Sequence, residues 1–202
     1  MTMSGPVSVS GGVRDGVARP GDQAGDFRML MSRFPTGVAV ITALDRSGVA
    51  HGMTCNSLSS VTLSPPTLLV CLGIGSGTLA AVRAGGGFAV NLLHAGARRT
   101  AEVFSSAEPD RFGQVDWVPS QAVGAPWLTD DAFALAECRV SRTVEVGDHE
   151  VVFGEVVRAV STEHQGTPLL YGMRCFSAWT APGAPEPGVG HGANGNGERR
   201  RG

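Results

Sequence analysis

The stretch from Ala132 to Val160 constrains the fold of this chain more than any other. Apolar and polar residues alternate through its first half, with Ala134, Ala136, Cys138 and Val140 on one face and Leu135, Glu137, Arg139 and Ser141 on the other. A period of two belongs to a β-strand with one face on a core, so the segment predicts a half-buried strand of unusual length. Gly147-Asp148 is a two-residue turn of the kind that closes a tight hairpin. Val151 to Val160 then returns antiparallel to the first strand.

The remaining elements agree with an antiparallel class. Gly37 to Leu44 is β-branched and apolar on both faces, and Asp45-Arg46-Ser47-Gly48 turns it back into a partner strand. Thr67 to Leu72 and Phe88 to Leu93 read as buried strands, and Leu169 to Tyr171 and Cys175 to Trp179 as short closing ones. Three short helices are expected: one capped by Asp26 with Phe27, Leu30, Met31 and Phe34 at helical spacing, one through Leu79 and Val82, and one from Ala97 to Ser105. The first is expected to lie as a lid on a sheet. Uneven hairpins with a few inserted helices predict a mainly β chain folded as an antiparallel barrel. The Gly-, Pro- and Ser-rich ends, residues 1–25 and 181–202, read as flexible tails around one domain spanning 26–180.

Composition removes several functions. The 202 residues carry a net charge of -2, and the 16 basic residues are all arginine. That balance offers no polyanion-binding surface, so nucleic acid is not an expected partner. Without lysine there is no Schiff base and no Walker-loop lysine. Cys55, Cys71, Cys138 and Cys175 form no Cys-x-x-Cys pair, and the histidines form no His-Glu-x-x-His pattern, so no metal site is expected. No apolar run approaches the length of a membrane span and no signal sequence is visible, which reads as a cytoplasmic protein.

One polar block stands out. Between Gly52 and Pro66 the chain places Asn56, Ser57, Ser59, Ser60, Thr62 and no charged residue between two apolar runs. Such groups, with their own backbone N–H groups, can wrap a phosphate or the polar edge of a heteroaromatic ring without burying a charge. The same composition also suits an edge strand with its turn. Gly75-Ser76-Gly77-Thr78-Leu79-Ala80 matches a dinucleotide fingerprint but lacks the acidic residue expected about twenty positions on. Ser76 or Thr78 can nonetheless cap the helix and leave free N–H groups for a phosphate. Arg111 is either a solvated surface charge or a phosphate ligand, His149 a turn histidine or a ring at the barrel rim, and Asn91 a core amide or a ring-edge donor.

Taken in order, Phe34-Pro35-Thr36-Gly37-Val38-Ala39-Val40-Ile41-Thr42, the polar block ending in Pro65-Pro66, Phe88 to Leu93, Asp110-Arg111-Phe112, Leu135-Ala136-Glu137-Cys138, Gly147-Asp148-His149 and Pro168-Leu169-Leu170-Tyr171 resemble the short-chain flavin reductases. These are the reductase components of two-component flavin-dependent monooxygenases. The resemblance implies an FMN-binding split β-barrel, usually a homodimer with its sites near the subunit interface. It places Asn56, Ser57, Leu58, Ser59, Ser60, Thr62 and Leu63 around the flavin ring and ribityl chain. It places Ser76, Thr78 and Arg111 at the phosphate end, with Asp110 shaping the loop. His149 would flank the nicotinamide, and Tyr171, Gly172, Met173 and Arg174 would line the NADH side. Leu58 stands where the family often has an aromatic residue and Cys55 where it has alanine. Arg174-Cys175-Phe176 replaces the family's closing Gly-x-Tyr.

The implied activity is hydride transfer from NADH to FMN or FAD, for which a protein must stack two rings and stabilise charge on the flavin. The reduced flavin would pass to a separate oxygenase. Two other classes fit parts of the sequence: a flavin carrier or sensor of the same fold, without turnover, and a nicotinamide dehydrogenase with a parallel sheet.

Overall fold

The computed structural model describes residues 22–162 and 166–179; of the tails expected at 1–25 and 181–202, residues 1–21 and all of 181–202 lie outside them. The described chain forms twelve strands and three α-helices. These are α1 (Gln23–Ser32), β1 (Thr36–Gly37), β2 (Ala39–Leu44), β3 (Ala50–Cys55), β4 (Ser59–Leu63), β5 (Pro66–Gly73), α2 (Gly77–Gly85), β6 (Gly87–Leu93), α3 (Arg98–Ser105), β7 (Val118–Pro119), β8 (Pro126–Trp127), β9 (Ala132–Val146), β10 (His149–Ser161), β11 (Leu169–Gly172) and β12 (Cys175–Ala178). Seven strands make one sheet in the order β3-β2-β6-β9-β10-β5-β4, and every pairing in it is antiparallel. The parallel sheet of a dehydrogenase is thereby excluded for the described residues.

The sheet is strongly curled. Its edges are β3 and β4, yet residues 56–58 alone connect them. Laid flat, seven strands would hold these edges about 29 Å apart, at about 4.8 Å per neighbour. The chain from Cys55 to Ser59 can span at most about 14 Å. The sheet therefore bends until its edges nearly meet. Ser57 closes the seam: its hydroxyl accepts from the Cys71 N–H at 3.0 Å and donates to the Cys71 carbonyl at 3.1 Å. β4 pairs with β5 only over Pro66 to Leu69, so one side chain supplies the rung that the edge strand does not.

The β9–β10 hairpin spans the sheet as its alternation requires, turning at Gly147 (φ 60°). Gly154 on β10 answers a close approach, since a Cβ there would sit 2.5 Å from the Phe88 ring. Inside the curl, Ile41, Val70, Leu72, Phe88, Val90 and Val152 pack with Leu79 and Val82 of α2. Outside, α3 covers Val38, Val40 and Leu93, while Trp127 and Ala125 cover Ala89 and Leu135.

Several expectations change. The strand expected over Gly37 to Leu44 divides at Val38, whose N–H bonds the Leu169 carbonyl and whose carbonyl accepts from Leu93, so the chain passes there from one sheet to another. The outer face of β9 is covered at Leu135 and Glu137, whereas Arg139 and Ser141 further along it are exposed. Glu137 is fully buried, and its carboxylate accepts from the Ala122 and Val123 N–H groups at 2.5 and 2.9 Å. Alternation marks a strand's two faces but carries no signal for a loop arriving from elsewhere in the chain. The cap of α1 is Asp22, which accepts from the Gly25 N–H, so the helix starts within the segment expected to be a tail. The apolar period from Phe27 marks a packing face, not the first free N–H. Nor is α1 a lid within the chain: no residue of it is buried, and Phe27 is 61% exposed. Asn91 resolves to a core amide, donating to the Val40 carbonyl and accepting from the Leu128 N–H.

Candidate functional site

The site is built on the outer side of β3 near the seam. The turn before β3 is set by Asp45, whose Oδ1 accepts from the Ser47 N–H and hydroxyl and the Val49 N–H, while Oδ2 meets His51 Nε2 at 3.2 Å. The Ser47 hydroxyl foremost, then the Val49 amide, hold the Asp45 carboxyl well below the usual carboxylate range. His51 lies against the start of α2, where a Cβ on Gly77 would stand 3.1 Å from its Nδ1. Ser76 caps that helix by accepting from the Leu79 N–H. Helix N-termini of this kind favour anions.

Arg111 reaches the same place from the loop after α3. It donates to the Gly52 carbonyl at 2.9 Å and to the Ser106 carbonyl. Its Nε is buried and has no protein partner. Asp110 shapes this loop, accepting from the Gly113 N–H at 2.9 Å.

Two cavities meet here. One, of about 290 Å³, is lined by Val38, Thr54, Asn56, Ser105, Tyr171 and Phe176. The other, of about 470 Å³, is lined among others by His51, Gly52, Thr54, Ser76, Gly77, Thr78, Ser105 and Arg111. Thr54 and Ser105 belong to both, so the two form one groove. It runs from the aromatic pair Tyr171–Phe176, at 5.1 Å between ring centres, to Arg111 and the N-terminus of α2. Thr54 also ties β3 to α3 by donating to the Ala101 carbonyl at 2.6 Å.

The groove gathers Asn56, Ser76, Thr78, Arg111 and Tyr171 from the residues singled out in the sequence. The others lie apart. The Ser57 hydroxyl is engaged with Cys71, and Leu58 lines a separate apolar cavity with Leu68 and Leu92. Ser59, Ser60, Thr62 and Leu63 form the exposed edge strand β4. Gly172 ends β11, and Met173 and Arg174 form the β11–β12 turn, both at positive φ, of 52° and 62°. Non-glycine residues there store about 1–3 kcal/mol of strain each, a feature that clusters at functional sites. His149 stands at the β9–β10 tip opposite Gly73, its Nδ1 2.8 Å from Asp148 Oδ1. That hydrogen bond lowers the Asp148 carboxyl. Thr54 lay within the polar block and was legible as a candidate. Phe176 stands at the position of the family's closing Gly-x-Tyr and pairs with Tyr171 in the β11–β12 hairpin, whereas Ser105 and His51 join through tertiary packing, and no local pattern marked them.

A curled antiparallel sheet, an uncharged polar groove, an aromatic pair at one end and an arginine with a helix N-terminus at the other define a protein that binds a phosphorylated ring cofactor. The family described as flavin reductase like domain matches residues 31–180, and the chain belongs to it. A flavin reductase (NADPH) of Lentzea aerocolonigenes is 62% identical over 167 residues, covering 82% of this chain and 96% of the relative. Among solved structures, the NADH:FAD oxidoreductase of Streptomyces globisporus, in complex with NAD and FAD fragments, superposes with a TM-score of 0.74 at 35% identity, covering 81% of this chain and 96% of that one. The styrene monooxygenase flavin reductase of Pseudomonas putida S12 gives 0.70 at 33% identity, covering 77% and 98%.

Proposed function

We propose that this chain is an NAD(P)H-dependent flavin reductase that supplies reduced flavin to a separate monooxygenase component. The observation that carries the reading is the continuous groove ending at Arg111. Its buried, unpartnered Nε and the capped start of α2 form an anion-binding end, and the rest of the lining is uncharged apart from His51. The same reading agrees with the family and with relatives named as NADPH- and NADH-dependent reductases.

The reduced nicotinamide supplies a hydride and the flavin accepts it when both are bound. The protein's task is then to hold two rings in contact and to stabilise the charge that develops on the flavin. On this reading Asn56, which lines the groove, donates to the polar edge of the ring. Ser76, Thr78 and Arg111 hold the phosphate end, and Tyr171 and Phe176 give the nicotinamide an aromatic wall.

Two assignments require a second copy of the chain. β4, with Leu63 86% exposed, and α1, with its uncovered apolar face, fit a homodimer that buries both. In such a dimer Ser59, Ser60, Thr62, Leu63 and His149 would be brought to a shared site. No helix among the described residues is long and apolar enough to cross a membrane.

The test is anaerobic oxidation of NADH and of NADPH by the purified protein, with and without FMN or FAD. Flavin-dependent bleaching over many turnovers is expected. Flavin binding without turnover would overturn the reductase and leave a carrier of the same fold.

A further inference from the structure

The groove does not stop at Arg111. A third cavity of about 500 Å³ continues past it, lined by Val49, Ala50 and the loop that carries Glu108, Pro109, Asp110 and Phe112. It shares His51, Gly52 and Arg111 with the phosphate end of the groove. Its size falls within the roughly 300–1,000 Å³ of small-molecule sites. On the flavin reductase reading above, we propose that this chamber takes the adenosine of FAD, with Arg111 at the pyrophosphate, so that the protein prefers FAD over FMN.

Three features carry the assignment. First, β3 is an edge of the sheet, and its outer backbone groups face the chamber. The Gly52 carbonyl points that way, since it accepts from Arg111, whereas the Val49 carbonyl points back and accepts from Asp45. Backbone direction alternates along a strand, so the N–H and C=O of Ala50 share the side of Gly52. One donor and one acceptor on a strand edge match the donor-acceptor edge of adenine. Second, the charge is divided. Arg111 stands at the junction, while Glu108 and Asp110 line the chamber beyond it. Carboxylates repel a further phosphate but accept hydrogen bonds from ribose hydroxyls, which suits a neutral adenosine leaving an anionic pyrophosphate behind. Third, the Phe112 ring on the wall is held edge-on by Phe104 at 5.1 Å and Trp117 at 5.9 Å, giving a base a fixed apolar surface.

The experiment is equilibrium binding of riboflavin, FMN and FAD to the full chain and to Ala50→Trp and Glu108→Ala, with KM for NADH measured alongside. FAD is expected to bind at least about tenfold tighter than FMN, the effect of one or two net hydrogen bonds. Ala50→Trp, which fills the chamber, should remove that advantage and leave FMN affinity unchanged. Glu108→Ala, on an exposed loop, should reduce it about threefold and covers the case in which the tryptophan variant does not fold. Equal FAD and FMN affinity in the natural chain would overturn the proposal. So would an FAD advantage that survives both substitutions, or a rise in KM for NADH with FAD binding untouched, since the chamber would then belong to the nicotinamide cofactor. Failure of the natural chain to bind any of the three flavins would defeat the reductase reading as well, a result distinct from equal binding.

Discussion

The two edges of the main sheet, β3 and β4, come from one polar block of sequence and have different fates. β3 is half-buried. Gly52 lies against the Phe104 and Phe112 rings, Thr54 is bonded to α3, and Asn56 opens into the groove. β4 is exposed at every residue and lines none of the three cavities along the groove. The switch happens within residues 56–58, where Ser57 stitches the seam to β5. A uniform run of small polar residues is thus one part scaffold and one part free edge. An unpaired edge of this kind invites a partner, which is why the proposed dimer has β4 at its interface and the single-chain site has β3.

That contrast can be broken by substitution. The largest effect is expected at Gly52→Val: a Cβ there would stand 2.7 Å from the Phe104 ring. Overpacking at a rigid wall should cost about 3 kcal/mol and displace Arg111, read as a fall in denaturation midpoint with loss of flavin binding. A variant as stable as the natural chain would show that the wall yields. Next is Ser57→Ala, expected to cost about 1–2 kcal/mol because it leaves the Cys71 N–H and carbonyl at the seam without their partner. If stability holds and only flavin affinity drops, Ser57 belongs to the site and not to the scaffold. On β4, Ser60→Ala with Thr62→Ala should change stability by less than about 0.5 kcal/mol. Flavin affinity should still fall severalfold if the dimer brings this edge to the site, and unchanged affinity in calorimetric titration would remove β4 from it.

The smallest effect concerns the turns that lead into the two strands. The β2–β3 turn is held by Asp45, and the β4–β5 turn by uncharged groups, with Thr67 donating its hydroxyl to the Pro65 carbonyl. The Asp45 carboxyl is lowered from 3.8, so its contribution is complete above that value and is lost as pH falls toward the lower folded one. Melting temperature should therefore decline with acid below about pH 4, and Asp45→Asn should flatten that part of the curve. An identical acid slope in the variant would place the sensitive carboxylate elsewhere, with Glu150 the next candidate. Glu150 is buried and lowered by its hydrogen bond to Arg83.

Much of the fold was legible because strands announce themselves locally. The alternation of β9, the Gly147-Asp148 turn and the apolar runs of β2, β5 and β6 required only neighbours a few residues away. The polar block and the capped start of α2 were legible as chemistry for the same reason. The places where expectation failed share one cause. Glu137 looked solvent-facing because residues 122–123 reach it from a different part of the chain, and α1 looked like a lid because a helix's apolar face does not name what it meets.

The sequence by itself determined an antiparallel β class, the family, and the residue types able to hold a phosphorylated ring without buried charge, since each is written in short-range pattern. Only the tertiary structure decided which of those residues share a groove. The curl of the sheet sends Asn56 to one wall and β4 to an open edge, and the packing around it brings His51, the Ser105–Arg111 segment and the Tyr171–Phe176 hairpin into one groove across long separations in sequence. Side-chain convergence of that kind depends on where whole strands cross, and no local spacing encodes it.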